Sequence, residues 1–203
     1  YKRQKYGSVV TSAFEIASTD GMNEKGLVAN LLWLPETEYP VRDQSKPGLA
    51  ITAWVQYMLD NFATVDEAVA FIDENTFQVV SDLMPDGSRL ATLHLSISDA
   101  TGDCAIFEYT GGKLTVYHSK EYKVMTNSPT YNKQLALNEY WKSIGGLSFL
   151  PGTNRPSDRF ARASFYINAL PQTDDVRIAI ASVFSVIRNL SLIHISEPTR
   201  PIS

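Results

Sequence analysis

Three short strand-like segments lie near the middle of the chain, and two tight turn sequences separate them. In Leu90–Ser98 apolar and polar residues alternate, which is typical of a strand with one buried face. Asp99-Ala-Thr-Gly-Asp103 follows, then the strand-like Cys104–Tyr109, the turn Gly111-Gly112 and the segment Leu114–His118. Because turns this short join antiparallel neighbours, the region predicts a three-stranded antiparallel meander.

The beginning of the chain predicts two further strands. Gly7–Ile16 is rich in β-branched and aromatic residues, and Leu27–Leu34 is apolar nearly throughout, as in a strand buried on both faces. The intervening Thr19–Gly26 contains Asp-Gly and Lys-Gly, which are turn signals. These patterns predict a tight turn over Thr19–Gly26 and direct pairing between the two strands.

Apolar residues at helical spacing predict helices in two groups, one before the meander and one after it. The first group contains a capping box, Thr64-Val-Asp-Glu67, and in the second group Ser157 is a candidate N-cap. The predicted helices cover Leu49–Phe62, Thr64 to about Asn75, Tyr131–Lys142, Asp158 to about Leu170 and Asp174 to about Asn189. Strands, helices, strands and helices in this order predict an α+β or layered αββα fold rather than a repeated βαβ unit.

The composition excludes several classes of partner. The 203 residues carry a net charge of −4, with 44% hydrophobic and 20% charged residues, as in an ordinary globular protein. Without a block of basic residues, nucleic acid is not an expected partner. No apolar run is long enough to cross a bilayer, so membrane insertion is not expected. Cys104 is the single cysteine, which excludes a disulfide within these residues.

Residues 191–203 do not continue the helical pattern. Their sequence resembles the peptide obtained when a sequencing adapter is translated at the end of a reading frame. We therefore expect this tail to be non-native, and residues 1–190 to be a partial domain that is incomplete at both ends. Tyr1 does not resemble a natural start, so the sequence does not determine whether a leader peptide precedes it. The location, whether periplasmic, secreted or cytoplasmic, is likewise not determined.

The segment Lys123-Val-Met-Thr-Asn127-Ser-Pro-Thr130 is the candidate functional stretch. An apolar run ends in an amide side chain, and a Ser-Pro pair follows at once. Proline restricts the residue before it to extended conformations, so Asn127 is expected on a constrained turn at the end of a strand. A fixed amide N–H is suited to stabilising the oxyanion that develops in acyl transfer. The alternative is that Asn127 only satisfies backbone groups within its own turn.

Three motifs together resemble the choloylglycine hydrolase family, which includes bile salt hydrolases, penicillin V acylases and other linear amide C–N hydrolases. The motifs are Asp20-Gly-Met-Asn-Glu-Lys-Gly-Leu27, Thr126-Asn-Ser-Pro-Thr130 and Leu150-Pro-Gly-Thr with Asp158-Arg-Phe160. The resemblance covers Gly7 to about Asn189, and Trp33 and Asn154-Arg-Pro156 resemble the Gram-negative penicillin V acylase branch. It implies a four-layer αββα sandwich of the N-terminal-nucleophile hydrolase type, in agreement with the element order.

The resemblance also implies a mechanism. The family's nucleophile is a cysteine that processing exposes as the first residue, and its own α-amine acts as the base. Asn127 matches the side chain of the oxyanion hole, and Trp33 matches the position whose backbone N–H is the second donor and whose side chain faces the substrate. Arg159 matches an arginine beside the nucleophile, where a cation favours the thiolate. The implied substrate is a small acyl amide, the implied assembly is a homotetramer, and no cofactor or metal is expected.

The family's cysteine would lie upstream of the first strand of this sequence. Cys104 is expected to be a packed thiol, because it lies in the middle of the chain without a free amine. We therefore expect these 203 residues to be an inactive part of an amide hydrolase. The alternatives are a non-catalytic module that binds acyl amides, or an N-terminal-nucleophile hydrolase with another acyl specificity, such as an acyl-homoserine lactone acylase. The sequence leaves open whether the substrate is a bile salt or penicillin V.

Metal binding has little support in the sequence. The spacing of His94, His118 and His194 fits no metal motif. Asp99 and Asp103 could imitate a cation-binding loop, but a plain hairpin explains both residues.

Overall fold

The structure is a computed structural model, and it describes residues 4–73, 77–144 and 149–190. The strands are β1 (Ser8–Ala13), β2 (Ala17–Asn23), β3 (Val28–Trp33), β4 (Gly48–Ala50), β5 (Gln78–Val80), β6 (Leu93–Ser98), β7 (Cys104–Thr110) and β8 (Lys113–His118). The helices are α1 (Trp54–Asn61), α2 (Val65–Asp73), α3 (Tyr131–Ser143), α4 (Pro156–Ala169) and α5 (Val176–Leu190). The expected α+β class is confirmed, while the tail at 191–203 lies outside the described residues.

Six strands form one antiparallel sheet in the order β1-β2-β3-β6-β7-β8. The meander is confirmed, since β6 pairs with β7 through Leu95 and Phe107, and β7 pairs with β8 through Phe107 and Val116. The remaining two strands, β4 and β5, form a small parallel sheet. The described residues therefore form one large antiparallel sheet and a parallel pair, where two stacked antiparallel sheets were expected.

The predicted pairing of the first two strands is wrong. The segment expected to be a turn contains an additional strand, β2, which lies between β1 and β3. The turn comes earlier, where Phe14 and Glu15 have positive φ values of 54° and 61°. Asp20 and Gly21 lie within β2 and pair with Asn30 and Ala29 of β3.

Close packing against α1 explains the glycine within β2. A Cβ atom on Gly21 would lie 2.7 Å from Leu59 Cδ1 and 2.7 Å from the carbonyl oxygen of Val9. In this strand glycine marks a close approach of neighbouring atoms rather than a turn. Sequence alone does not distinguish these two uses of an Asp-Gly pair.

We expect Gly21→Ala to lower the free energy of unfolding by about 1–3 kcal/mol, because the added methyl group overpacks the interface with α1. Urea denaturation measures this change. The matched control is Gly7→Ala, because there the nearest atom to a new Cβ is Glu24 Oε2 at 4.0 Å. Equal stability of the two variants would show that β2 and α1 separate at little cost.

Asn23, which belongs to the same motif Asp20–Leu27, also has a structural role. Asn23 is buried, and its side-chain amide donates to the carbonyl oxygens of Leu59 and Phe62 at 2.9 and 2.8 Å. Its Oδ1 accepts from the backbone N–H of Leu27 at 3.0 Å. Asn23 therefore satisfies carbonyl groups at the end of α1, which lack partners within the helix.

The two faces of the sheet differ in chemistry. One face packs against α1 and α2 and contributes Leu95, Phe107 and Tyr109 to a cluster that includes Trp54. The residues between them on β6 and β7 point to the opposite face, because side chains alternate along a strand. Those residues include His94 and Glu108, and both are fully buried. The sheet therefore carries an ionisable pair on its second face.

The first predicted helix is shorter than expected. The segment Gly48–Ala50 is β4, which pairs in parallel with β5, and a short 3-10 turn then leads into α1. Leu49 fits the helical spacing of the apolar residues that follow it, but it lies in a strand because it pairs with β5. The second helix agrees with its capping box, since Thr64 Oγ1 accepts from the backbone N–H of Glu67 at 3.2 Å.

The chain divides into two compact units, Tyr1–Tyr131 and Asn132–Ser203. In the second unit α4 begins one residue before the predicted N-cap, with Arg155 as the N-cap and Pro156 in the first turn. Proline is favoured there because its missing N–H would have no partner within the helix. Ser157 is thus a helical residue and not the cap. No helix in the described ranges is long and apolar enough to cross a membrane.

Candidate active site

Asn127 lies in an irregular segment between β8 and α3, and its side chain is half-buried. The strand expected to lead into this residue is absent from the described segment 119–130, because β8 ends at His118. Thr126 before it is buried, and the Ser128–Pro129 peptide bond after it is cis.

A side-chain hydrogen bond joins the stretch around Asn127 to the end of β3. Ser128 Oγ donates to Glu36 Oε1 at 2.6 Å, although the two residues are 92 positions apart. Glu36 follows β3 closely, and the last residue of β3 is Trp33. The structure therefore brings together the two stretches that carry Asn127 and Trp33.

Trp33 is half-buried, and it pairs with Leu93 of β6. The guanidinium carbon of Arg89 lies 4.0 Å from the centre of its ring, which is the geometry of a cation–π contact. Arg89 is exposed and precedes β6 in an irregular loop. Nothing in the spacing of Arg89 relates it to Trp33, so this residue could not be identified from the sequence.

A buried carboxylate, Glu108 of β7, also contacts the end of this segment. Its Oε1 lies 2.9 Å from His94 Nδ1, and both of its oxygens accept from the backbone N–H of Tyr131 at 3.0 and 2.9 Å. Tyr131 is the first residue of α3. Glu108 was not among the predicted site residues. A carboxylate within the apolar strand Cys104–Thr110 is nevertheless a usable signal, because buried carboxylates are almost always paired.

Arg159 belongs to the second unit and lies in the first turn of α4, where it is half-buried. Its Nε donates to the carbonyl oxygen of Asn154 at 3.2 Å. Burial and the neighbouring Arg162 lower the pKa of its guanidinium, which nevertheless stays charged because arginine titrates far above neutral pH. Its convergence with Asn127 and Trp33 stays a prediction.

The acidic residues of the hairpin between β6 and β7 have structural partners. Asp99 accepts from the backbone N–H of Thr101 at 2.8 Å and from that of Val65, at the start of α2, at 2.9 Å. Asp103 Oδ2 lies 2.7 Å from His118 Nε2, and Asp66 Oδ1 lies 3.5 Å from the same nitrogen. The ligand atoms of Asp66, Asp103 and His118 all lie within 4.8 Å of one another, and the contacts of both carboxylates with His118 account for the arrangement.

Cys104 is a buried free thiol on β7. Burial raises the pKa of this thiol, and the nearby carboxylates of Asp103 and Asp99 raise it further. The thiolate fraction at neutral pH is therefore small. Its environment is the opposite of the electropositive, partly exposed setting of a reactive cysteine.

We expect Cys104 to react slowly with a thiol reagent in the native protein and rapidly once the chain is unfolded in urea, because unfolding restores the ordinary pKa and access. A spectroscopic thiol titration with and without urea measures both rates. Cys104→Ser supplies the blank. Equal rates in the two conditions would contradict the packed environment of this side chain.

A family model described as linear amide C–N hydrolases, choloylglycine hydrolase family, matches residues 5–199. Penicillin V acylase of Pectobacterium atrosepticum is 52% identical over an alignment of 207 positions. The alignment covers 93% of this chain and 55% of the acylase. The chain thus spans about half the length of that relative.

Solved structures of penicillin V acylase and conjugated bile acid hydrolase are also similar to this chain. Penicillin V acylase from Agrobacterium tumefaciens is similar with a TM-score of 0.87 and 57% identity, over 98% of this chain and 60% of that one. A variant of conjugated bile acid hydrolase from Clostridium perfringens is similar with a TM-score of 0.76 and 29% identity, over 93% and 64%. These similarities confirm the expected fold class, and the chain belongs to the choloylglycine hydrolase family of linear amide C–N hydrolases.

Proposed function

We propose that the protein to which these residues belong hydrolyses a linear amide of the penicillin V type, with a nucleophilic cysteine encoded upstream of Tyr1. The observation that carries the proposal is the hydrogen bond from Ser128 to Glu36, which joins the stretches of Asn127 and Trp33. An oxyanion hole needs two donors that converge on one oxygen atom. The 52% and 57% identical relatives, both named penicillin V acylases, support this substrate class.

In this proposal the cysteine thiolate attacks the carbonyl carbon of the amide, and the α-amine holds the thiol proton. The negative charge on the carbonyl oxygen is stabilised by the Asn127 side-chain N–H and the Trp33 backbone N–H. The C–N bond then breaks, the amine leaves with the proton, and water hydrolyses the thioester. Arg159 supplies the positive charge that favours the thiolate.

Trp33 and Arg89 suit the two ends of such a substrate. The half-buried indole ring offers an apolar surface to the acyl group. The guanidinium of Arg89 lies over that ring and is exposed, so that it can approach the carboxylate of the amine portion.

Expression of the complete gene tests the proposal. We expect the processed protein to begin with cysteine and to hydrolyse penicillin V, with conjugated bile salts and acyl-homoserine lactones as competing substrates in parallel assays. Replacing that first cysteine by alanine should abolish turnover. A complete protein that binds penicillin V but cleaves none of these amides would be a binding module, and the proposal would be wrong.

We also propose, from the family resemblance alone, that the complete protein is a homotetramer. Light scattering coupled to size-exclusion chromatography measures its mass. A monomeric mass would contradict this assembly without affecting the proposed chemistry.

A further inference from the structure

Two carboxylates hold the chain on either side of Asn127. On one side, Glu36 accepts from the hydroxyl group of Ser128 at 2.6 Å. On the other side, Glu108 accepts from the backbone N–H of Tyr131 with both oxygens, at 3.0 and 2.9 Å. The intervening residues form neither helix nor strand, so these bonds fix a segment that has no ladder of its own.

The bond to Glu108 lies in a fully buried environment. Both His94 and Glu108 have no exposed surface, and His94 Nδ1 lies 2.9 Å from Glu108 Oε1. A buried carboxylate is costly unless donors compensate for its lost hydration, and here the donors are His94 and the first backbone N–H of α3. The partial positive charge at the start of a helix also favours a carboxylate. Glu108 is therefore a strong and rigid acceptor for Tyr131.

The ring of Tyr131 is held as firmly as its backbone. It is buried, and it packs edge-to-face against Tyr117 and Tyr122, with ring centres 5.1 and 5.2 Å away. A change in the position of Tyr131 would therefore require several contacts to break. This makes Tyr131 a fixed point from which the preceding residues extend.

We propose that Glu108, supported by His94, is a positioning residue that fixes the Asn127 side chain through Tyr131, and that Glu36 does the same through Ser128. The inference rests on the proposed function, because it assigns the purpose of the two carboxylates to the oxyanion donor. An oxyanion donor must lie about 2.7–3.1 Å from the position of the charged oxygen. A displacement of about 1 Å can lower a rate by about a hundredfold.

A double-mutant cycle tests the inference in the complete protein. Glu108→Gln should lower kcat about 10- to 100-fold and change KM by less than about threefold, because the oxyanion contact forms only in the transition state. In an Asn127→Ala background the same substitution should lower kcat by less than about twofold, since the donor it positions is already gone. An equal loss in both backgrounds would overturn the inference.

Ile106→Val is the matched control for lost stability. Ile106 lies two residues from Glu108 on the same face of β7 and is also buried. This substitution should destabilise the protein without lowering kcat. Ser128→Ala is a second test, at a half-buried position, and it should show the same non-additivity with Asn127→Ala. A loss of kcat in Ile106→Val equal to that in Glu108→Gln would assign the effect to stability.

Hydrogen exchange separates this inference from the proposed function. In Glu108→Gln the amides of residues 122–134 should exchange at least about tenfold faster than in the wild-type protein, whereas Ile106→Val should leave them unchanged. This measurement does not require turnover. Exchange in Glu108→Gln equal to that of the wild-type protein would overturn the anchoring. If Glu108→Gln accelerated exchange but the complete wild-type protein had no amidase activity, the proposed function and the positioning role would be wrong, and only the anchoring of the segment would remain.

Discussion

Asn127→Ala should lower the kcat of the complete enzyme by about two to three orders of magnitude, as loss of one oxyanion-hole donor typically does. The loss should appear in kcat and in kcat/KM alike, because in the proposed mechanism the amide N–H stabilises the charged oxygen only in the transition state. Alanine removes the donor and leaves the stretch from Thr126 to Pro129 with its backbone and its bond from Ser128 to Glu36. Steady-state kinetics with penicillin V measures both parameters.

Asn132→Ala is the control for this substitution. Asn132 is an exposed amide in the first turn of α3, a short distance along the chain, and its removal should leave turnover unchanged. If Asn127→Ala kept wild-type turnover as well, Asn127 would only satisfy backbone groups within its own turn, and it would not be an oxyanion donor.

Arg159→Ala should move the acidic limb of the pH profile of kcat/KM to higher pH by about 1–3 units. A neighbouring positive charge lowers the pKa of an acidic group by about 1–3 units, because it stabilises the negatively charged form. In the proposed mechanism, removing the cation therefore raises the pKa of the nucleophilic thiol, and less thiolate is present at a given pH. The profile of kcat/KM reports on the free enzyme, so it is the measurement of choice.

Two further substitutions serve as controls for Arg159→Ala. Arg159→Lys keeps the positive charge and should keep the position of the limb. Arg162→Ala removes an arginine that donates to the carbonyl oxygens of Pro151 and Thr153 at 2.6 and 2.8 Å. It should lower stability without moving the limb. A wild-type profile in Arg159→Ala would separate Arg159 from the nucleophile.

Local signals predicted much of the fold because tertiary contacts agree with them. The alternation in Leu93–Ser98 and the turns around it correspond directly to β6, β7 and β8. The prediction failed at Gly21, where the same dipeptide serves a turn or a close contact, and at Gly48–Ala50, where pairing with a distant strand decides the structure. Neither contact can be recognised from the residues that are adjacent in the sequence.

The candidate site was predicted in part for a similar reason. Asn127 follows from its own segment and from the family motif. Glu36 and Arg89 become relevant only through residues far away in the sequence, Ser128 for Glu36 and Trp33 for Arg89. Their contacts depend on the order of strands in the sheet, which no local pattern specifies.

The bond between Ser128 and Glu36 also has a consequence for folding. Its partners are 92 residues apart, so closing it carries the entropy cost of a long loop unless other contacts have already shortened the path. Strands β6, β7 and β8 lie between the two residues in the chain and provide that shorter path once they join β3. We therefore expect the Asn127 and Trp33 stretches to come together late in folding, after β6, β7 and β8 have joined β3.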